Sequence, residues 1–157
     1  MPPITPALLA TLSRYPRWPR TAAEIVRVIG RDASVPLFEK FRGQEIPVPM
    51  VIGGGNPAGE IRYAALAEIV GEHAADKIVR HWGGQNLYVP TLKQVMSDWI
   101  ADEIRAGFDV LTARGYSSRD AVFELGLKYG CSGRWVEKIL GRPETVPPAD
   151  VRQGRLF

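Results

Sequence analysis

The sequence has a single cysteine, Cys131, and only two histidines, His73 and His81, among 157 residues. One cysteine excludes a disulfide framework within the chain and the zinc modules that need several cysteines. The histidines stand too far apart to share a metal ion on one helical turn. We therefore expect no metal site, and we expect Cys131 to be a buried, inert thiol.

Long apolar runs and the motifs of catalysis are also missing. No run reaches the roughly 18 apolar residues of a membrane span, and the start of the chain lacks the basic segment of a signal peptide. We therefore expect a cytoplasmic protein without a membrane partner. The glycine run 53–55 lacks the spacing of a phosphate-binding loop and predicts a linker. No nucleophile stands beside a base, and Asp98, Asp102 and Glu103 are expected on the solvated face of a helix. The sequence predicts neither an enzyme nor a cofactor.

Two similar segments, residues 29–49 and 70–90, align without a gap. The identical pairs are Gly30/Gly71, Ala33/Ala74, Gly43/Gly84, Gln44/Gln85, Val48/Val89 and Pro49/Pro90. Each copy predicts a helix, a glycine, a second helix, another glycine and a short strand, over 21–29, 32–41 and 44–49 and again over 62–70, 72–82 and 85–90. Pro47 weakens the first strand, because proline cannot donate to a ladder. The pattern indicates a duplication, whose copies pair either within one chain or between chains.

The segment 117–141 has the spacing of a helix-turn-helix. Gly126 is the small residue where the helices meet, Gly130 accepts the positive φ of the turn, and Val136 points back into the crossing. The second helix then exposes Ser132, Gly133, Arg134, Glu137 and Lys138. Residues 114–142 carry three more cations than anions, which suits a phosphate-facing module. An ordinary helical hairpin remains the alternative interpretation.

These motifs also carry a family resemblance. The run IVGEHAADKIVRHWGGQNLYVP, then a long helix, then the helix-turn-helix, resembles the Mor/C family of phage Mu-type transcription activators over residues 63–140. The resemblance implies a homodimer whose strands pair, with a dimerisation surface that includes Ile78, Trp82, Leu87 and Val89. It implies that double-stranded DNA is bound by Arg134, Trp135, Lys138 and the strand residues Gln85 and Tyr88. The helix-turn-helix spacing and the local charge add Ser132 and Arg119 as candidate DNA-binding residues. Host RNA polymerase is a further candidate partner.

The chain departs from the family pattern in two ways. It has two helix-helix-strand units where the family has one, and Gly133 and Glu137 make its recognition helix less basic. These departures keep open a second hypothesis, that the protein is a protein-interaction module with a degenerate DNA-binding motif.

The sequence therefore predicts a mainly α-helical fold in three parts. Residues 1–90 form the duplicated region, with copies at about 21–50 and 62–91. Residues 91–142 form the helix-turn-helix region, and 143–157 form an extended or disordered tail. The predicted function is a sequence-specific, dimeric, DNA-binding regulator of phage or prophage genes, an activator by resemblance, that reads an inverted repeat.

Overall fold

The computed structural model of the chain describes residues 2–142 and is mainly helical, as predicted. These residues form helices α1 (Pro6–Leu12), α2 (Arg20–Phe41), α3 (Pro57–Val70), α4 (Glu72–Trp82), α5 (Lys93–Ala113), α6 (Ser118–Tyr129) and α7 (Gly133–Leu140), and strands β1 (Gln44–Pro47) and β2 (Asn86–Val89). The N-terminal unit comprises residues 4–13 and 18–92, and the C-terminal unit includes 14–17 and 93–142. The tail predicted over 143–157 lies outside the described residues. No helix within 2–142 has the length and apolar character needed to cross a membrane.

Gly30 and Gly71 make the same backbone turn at equivalent places in the two copies. Gly30 interrupts α2 with φ 83° and ψ 166°, and Gly71 separates α3 from α4 with φ 90° and ψ 156°. This region of backbone space is open essentially to glycine alone. The predicted helix boundaries at both glycines are therefore confirmed.

Strands β1 and β2 pair with each other, within the same chain, as an antiparallel ribbon. Ile46 faces Leu87, and Glu45 faces Tyr88. The backbone N–H of Val48 donates to the carbonyl of Gln85 at 2.9 Å. Because hydrogen-bonded pairs alternate along an antiparallel ladder, the pair before this one needs no N–H from β1. Pro47 occupies that position, which is why it is tolerated in the strand.

A glycine bulge closes each end of the ribbon. The Gly84 N–H donates to the carbonyl of Val48 at 3.1 Å, and the Gly43 N–H donates to that of Val89 at 2.7 Å. Both glycines have φ 78°, so each end has the glycine-first bulge in which two residues face one. Gly43 and Val48 correspond to Gly84 and Val89 in the alignment of the copies. The two ends are therefore related by an approximate two-fold axis through the Ile46–Leu87 pair.

The core of the N-terminal unit follows the same correspondence. Equivalent positions are buried in both copies: Ile25/Leu66, Ser34/Ala75, Leu37/Ile78, Phe38/Val79, Ile46/Leu87 and Val48/Val89. The first copy is covered further by α1, which packs against α2, and by Trp18, whose ring meets that of Phe38 edge-on with centroids 6.4 Å apart. Burial of apolar side chains from both copies in one core is the main force that holds the copies together.

Helix α5 is the base of the C-terminal unit, and α6 and α7 pack against it. Gly107 lies where α6 comes closest, because a Cβ added there would stand 2.7 Å from a methyl carbon of Leu125. The glycine weakens the helix on its own, as expected from propensity. Because glycine has no side chain, however, it allows α5 and α6 to approach each other closely at this position.

The expectation that Asp98 and Asp102 lie on a solvated face of α5 is wrong. Their exposed fractions are 8% and 1%. The guanidinium of Arg17 forms two hydrogen bonds to Asp98, at 2.6 and 2.8 Å. The hydroxyl of Tyr15 donates to Asp102 at 2.9 Å, and Arg105 donates to the same carboxylate at 3.1 Å. Buried carboxylates need such partners; segment 14–17 supplies Tyr15 and Arg17, and α5 itself supplies Arg105.

Candidate nucleic-acid interface

Helices α6 and α7 are joined by a tight glycine turn at the predicted place. Gly130 ends α6 in the left-handed conformation, with φ 67° and ψ 36°. The backbone N–H of Cys131 donates to the carbonyl of Gly126 at 2.9 Å. Ser132 then begins α7, and its hydroxyl accepts from the Trp135 N–H at 3.1 Å. The positive φ and the serine cap predicted from the sequence are both confirmed.

The absence of a side chain at residue 126 allows the turn to fold back onto α6. A Cβ added to Gly126 would stand 2.8 Å from the carbonyl oxygen of Cys131, which is shorter than a contact that backbone atoms can accept. On α7, Val136 and Ile139 are buried. Helix α7 is therefore held on an apolar face, and its remaining faces are left toward solvent.

The exposed faces of α7 carry the residues predicted to contact DNA. Ser132, Arg134 and Lys138 are exposed, and Trp135 is half-buried. Arg134 and Lys138 stand four residues apart, so they project from the same side of the helix. Within residues 2–142, neither forms an ion pair with a carboxylate. Their charges are available to an external anion.

A shallow groove that the sequence does not predict lies beside α7. Arg119 of α6 and Glu137 of α7 both line it, as do Phe108, Ser118, Val122, Phe123, Gly133 and Leu140. The exposed fraction is 63% for Phe123 and 65% for Leu127, one turn further along α6. In the sequence, Phe123 and Leu127 are two apolar residues four positions apart that lie outside the predicted buried stripe of Val122, Leu125 and Tyr129. Their exposure could not be deduced from that spacing.

The predicted strand residues lie in the N-terminal unit, whereas those of α6 and α7 lie in the C-terminal unit. Gln85 and Tyr88 are exposed, and Tyr88 faces the carboxylate-bearing Glu45 across the ribbon. The four residues predicted for dimerisation are all buried within the chain: Ile78, Trp82, Leu87 and Val89. Leu87 and Val89 face Ile46 and Gln44 across the ribbon, and α4, which carries Ile78 and Trp82, packs against α2 and α3.

Cys131 is half-buried, whereas the sequence predicted full burial. Burial raises the pKa of its thiol, because a low-polarity environment disfavours the thiolate. No group of three His, Cys, Asp or Glu side chains within residues 2–142 is arranged to hold a metal ion.

Comparison with known families identifies the C-terminal part of the chain. The model of the Mor transcription activator family matches residues 57–156. The chain belongs to the Mor transcription activator family. The match begins where α3 begins, so it includes the second copy and α5–α7, whereas the first copy precedes it. No curated protein and no solved structure matches the chain.

Proposed function

We propose that this Mor-family protein is a sequence-specific DNA-binding activator of phage or prophage genes, and that α7 enters the major groove. The observation that supports this most directly is the outward placement of Arg134 and Lys138 on a helix whose opposite face is buried. A recognition helix needs this division, because one face must pack and the other must reach base edges. In the pattern of its family, the protein acts in the bacterial cytoplasm and recruits host RNA polymerase.

The charge around α7 also favours a phosphate partner. Every charged side chain of residues 114–142 is exposed; the cations are Arg114, Arg119, Lys128, Arg134, Lys138 and Arg142, and the anions are Asp120, Glu124 and Glu137. Contacts between cations and phosphates supply most of the sequence-independent affinity, and they weaken as salt rises. Discrimination between sequences would come from the first turn of α7, where Ser132 and Arg134 stand.

A DNA titration with a matched pair of variants tests this function. Fluorescence anisotropy would measure the binding of purified protein to fragments of its own genome, at two salt concentrations and with competitor DNA. We expect Arg134→Ala to weaken specific binding by about 1–3 kcal/mol, which is roughly a 5- to 150-fold rise in Kd. Arg62→Ala removes the same charge from an exposed site on α3 and should change Kd little. Equal effects of the two variants, or no competitor-resistant complex, would contradict DNA recognition by α7.

The family pattern implies a homodimer formed by strand pairing, but in this chain the pairing edge of β2 is already occupied. Strand β2 is paired with β1 of the same chain, so a dimer through the same edge would require β1 to leave it. DNA recognition by α7 does not depend on that dimer.

The exposed apolar residues of α6 favour a second candidate function, a protein-interaction module. Phe123 and Leu127 have exposed fractions above 60% on one side of the helix, and Glu137 weakens the attraction of α7 for phosphate. A protein partner would cover these side chains. If this function is correct, Phe123→Ser with Leu127→Ser should abolish transcription activation in a reporter strain, and wild-type protein should bind no DNA specifically.

A further inference from the structure

The ribbon of β1 and β2 has the symmetry of a homodimer interface, but both strands come from one chain. In a two-fold interface, contact of residue i with residue j implies contact of j with i. The Gly43–Val89 and Gly84–Val48 hydrogen bonds obey this rule across the two copies. Ile46 and Leu87, which are equivalent residues, face each other at the centre. The first copy thus meets the second as a partner subunit would.

The two copies agree where they pair and differ where they face solvent. The paired and buried positions keep glycine at each bulge, valine opposite it and an aliphatic residue at the centre. On the exposed face, Asn86 and Tyr88 of the second copy are replaced by Glu45 and Pro47 in the first. A carboxylate and a proline have replaced an amide and a phenol. The first copy therefore shares the pairing surface of the second and differs from it on the exposed face of the ribbon.

Only one copy continues into DNA-binding machinery within the described residues. The second copy leads into α5, α6 and α7, whereas the first leads through residues 50–56 into α3. The family match agrees with this division, because it begins at residue 57 and leaves the first copy out. A two-fold dimer presents two recognition helices and reads two half-sites. Within residues 2–142, one such helix accompanies one complete ribbon.

We propose that the first copy acts as a built-in partner subunit, so that the protein is a monomer and its DNA target is one asymmetric site. This differs from the homodimer and inverted repeat that the sequence predicts. The part that concerns DNA rests on the proposed function, whereas the monomeric state does not. The physical basis is that one edge of β2 already pairs with β1 and the apolar side chains beneath the ribbon are already buried. A second copy would therefore bury no further apolar area at that surface.

A disulfide across the ribbon distinguishes pairing within one chain from pairing between chains. Glu45 and Tyr88 face each other at a non-hydrogen-bonded pair, where Cα atoms are about 4.5 Å apart, within the range that a disulfide spans. Glu45→Cys with Tyr88→Cys would be made in a Cys131→Ser background, and Glu45→Cys alone is the matched control. After oxidation we expect a cross-link within one chain, seen as the loss of both free thiols in protein that still runs at the mass of a single chain on non-reducing gels. A double variant that yields covalent dimers would overturn the proposal.

Wild-type protein provides a test that needs no variant to fold. Sedimentation equilibrium over a hundredfold range of concentration should give the mass of one chain throughout, and a dimer mass would overturn the monomer. Titration with DNA of one half-site should then saturate at one chain per duplex, with the same Kd as DNA that carries an inverted repeat. At least a tenfold tighter Kd for the inverted repeat would overturn the asymmetric site. A monomer that binds no DNA specifically would overturn the proposed function and leave the built-in subunit standing.

Discussion

Replacing Gly30 or Gly71 by alanine should change the free energy of unfolding, and the sign of that change depends on the backbone conformation at the glycine. In a continuous helix, alanine at an interior glycine stabilises by about 1 kcal/mol. Here both glycines have φ between 80 and 95° with ψ near 160°, a conformation that costs other residues about 1–3 kcal/mol. A Cβ at either position meets nothing within 4 Å, so a steric clash adds nothing. Alanine also lowers the conformational entropy of the unfolded chain, which offsets about 0.4–1 kcal/mol of that conformational cost.

We therefore expect each variant to lower the free energy of unfolding by about 1–2 kcal/mol. With an m-value of about 2 kcal/mol/M, the urea midpoint should fall by about 0.5–1 M. Circular dichroism would follow the transition, with m checked for constancy. Gly59→Ala in α3 is the matched control, because its added Cβ makes only ordinary contacts at 3.8 and 4.0 Å and its φ is not positive. That variant should leave the midpoint unchanged or raise it.

The result that would refute the reasoning is a rise in midpoint for Gly30→Ala. It would mean that α2 runs through residue 30 as one helix. A loss at Gly71 without a comparable loss at Gly30 would show that the two turns are not equivalent, and would remove one support for the repeated architecture.

Three further predictions concern the glycine at residue 126, the buried hydrogen bond of Tyr15 and the pKa of Tyr63. Gly126→Val should destabilise by about 1–3 kcal/mol in urea and abolish specific DNA binding, because its Cβ would push the Cys131 carbonyl and displace α7; retained binding would contradict this. Tyr15→Phe should destabilise by about 1.5–3 kcal/mol, since it removes a buried hydrogen bond to the Asp102 carboxylate; an unchanged urea midpoint would count against that bond. The hydroxyl of Tyr63 donates a hydrogen bond to the Asp76 carboxylate, and this bond raises the pKa of Tyr63 from 10.0 to about 12. Because the folded pKa lies above the unfolded one, this bond contributes stability below pH 10 and loses it as the pH rises through 12. Ultraviolet titration should show that Tyr63→Phe removes one of the late-ionising tyrosines.

The local features of the fold could be predicted from the sequence because neighbours along the chain decide them. Glycine where φ must be positive, serine at the start of a helix and apolar residues at helical spacing act over a few positions. Gly30, Gly71 and Gly130 end or interrupt helices as predicted, and Ser132 caps α7. The residues expected to reach DNA from α7 are exposed for the same reason, since Val136 and Ile139 fix which side is buried.

Contacts between distant residues could not be predicted in this way. Helical spacing places Asp98 and Asp102 on a solvated face, because it carries no sign of their partners Arg17 and Tyr15, which lie 81 and 87 residues away. The exposure of Phe123 depends likewise on what α5 and α7 leave uncovered. Periodicity identifies which residues share a face, and it carries no information on what covers that face.

The sequence by itself determined the order of helices and strands after α1, which it did not predict, together with the two glycine turns, the correspondence between the copies and the membership of the chain in a family of activators. The tertiary structure alone decided that the copies pair with each other inside one chain. Two equivalent strands carry the same pairing groups whether their partner is in the same chain or in another. The choice is made by the connection between them: residues 48–85 bring β2 back against β1, where both strands cover one common core.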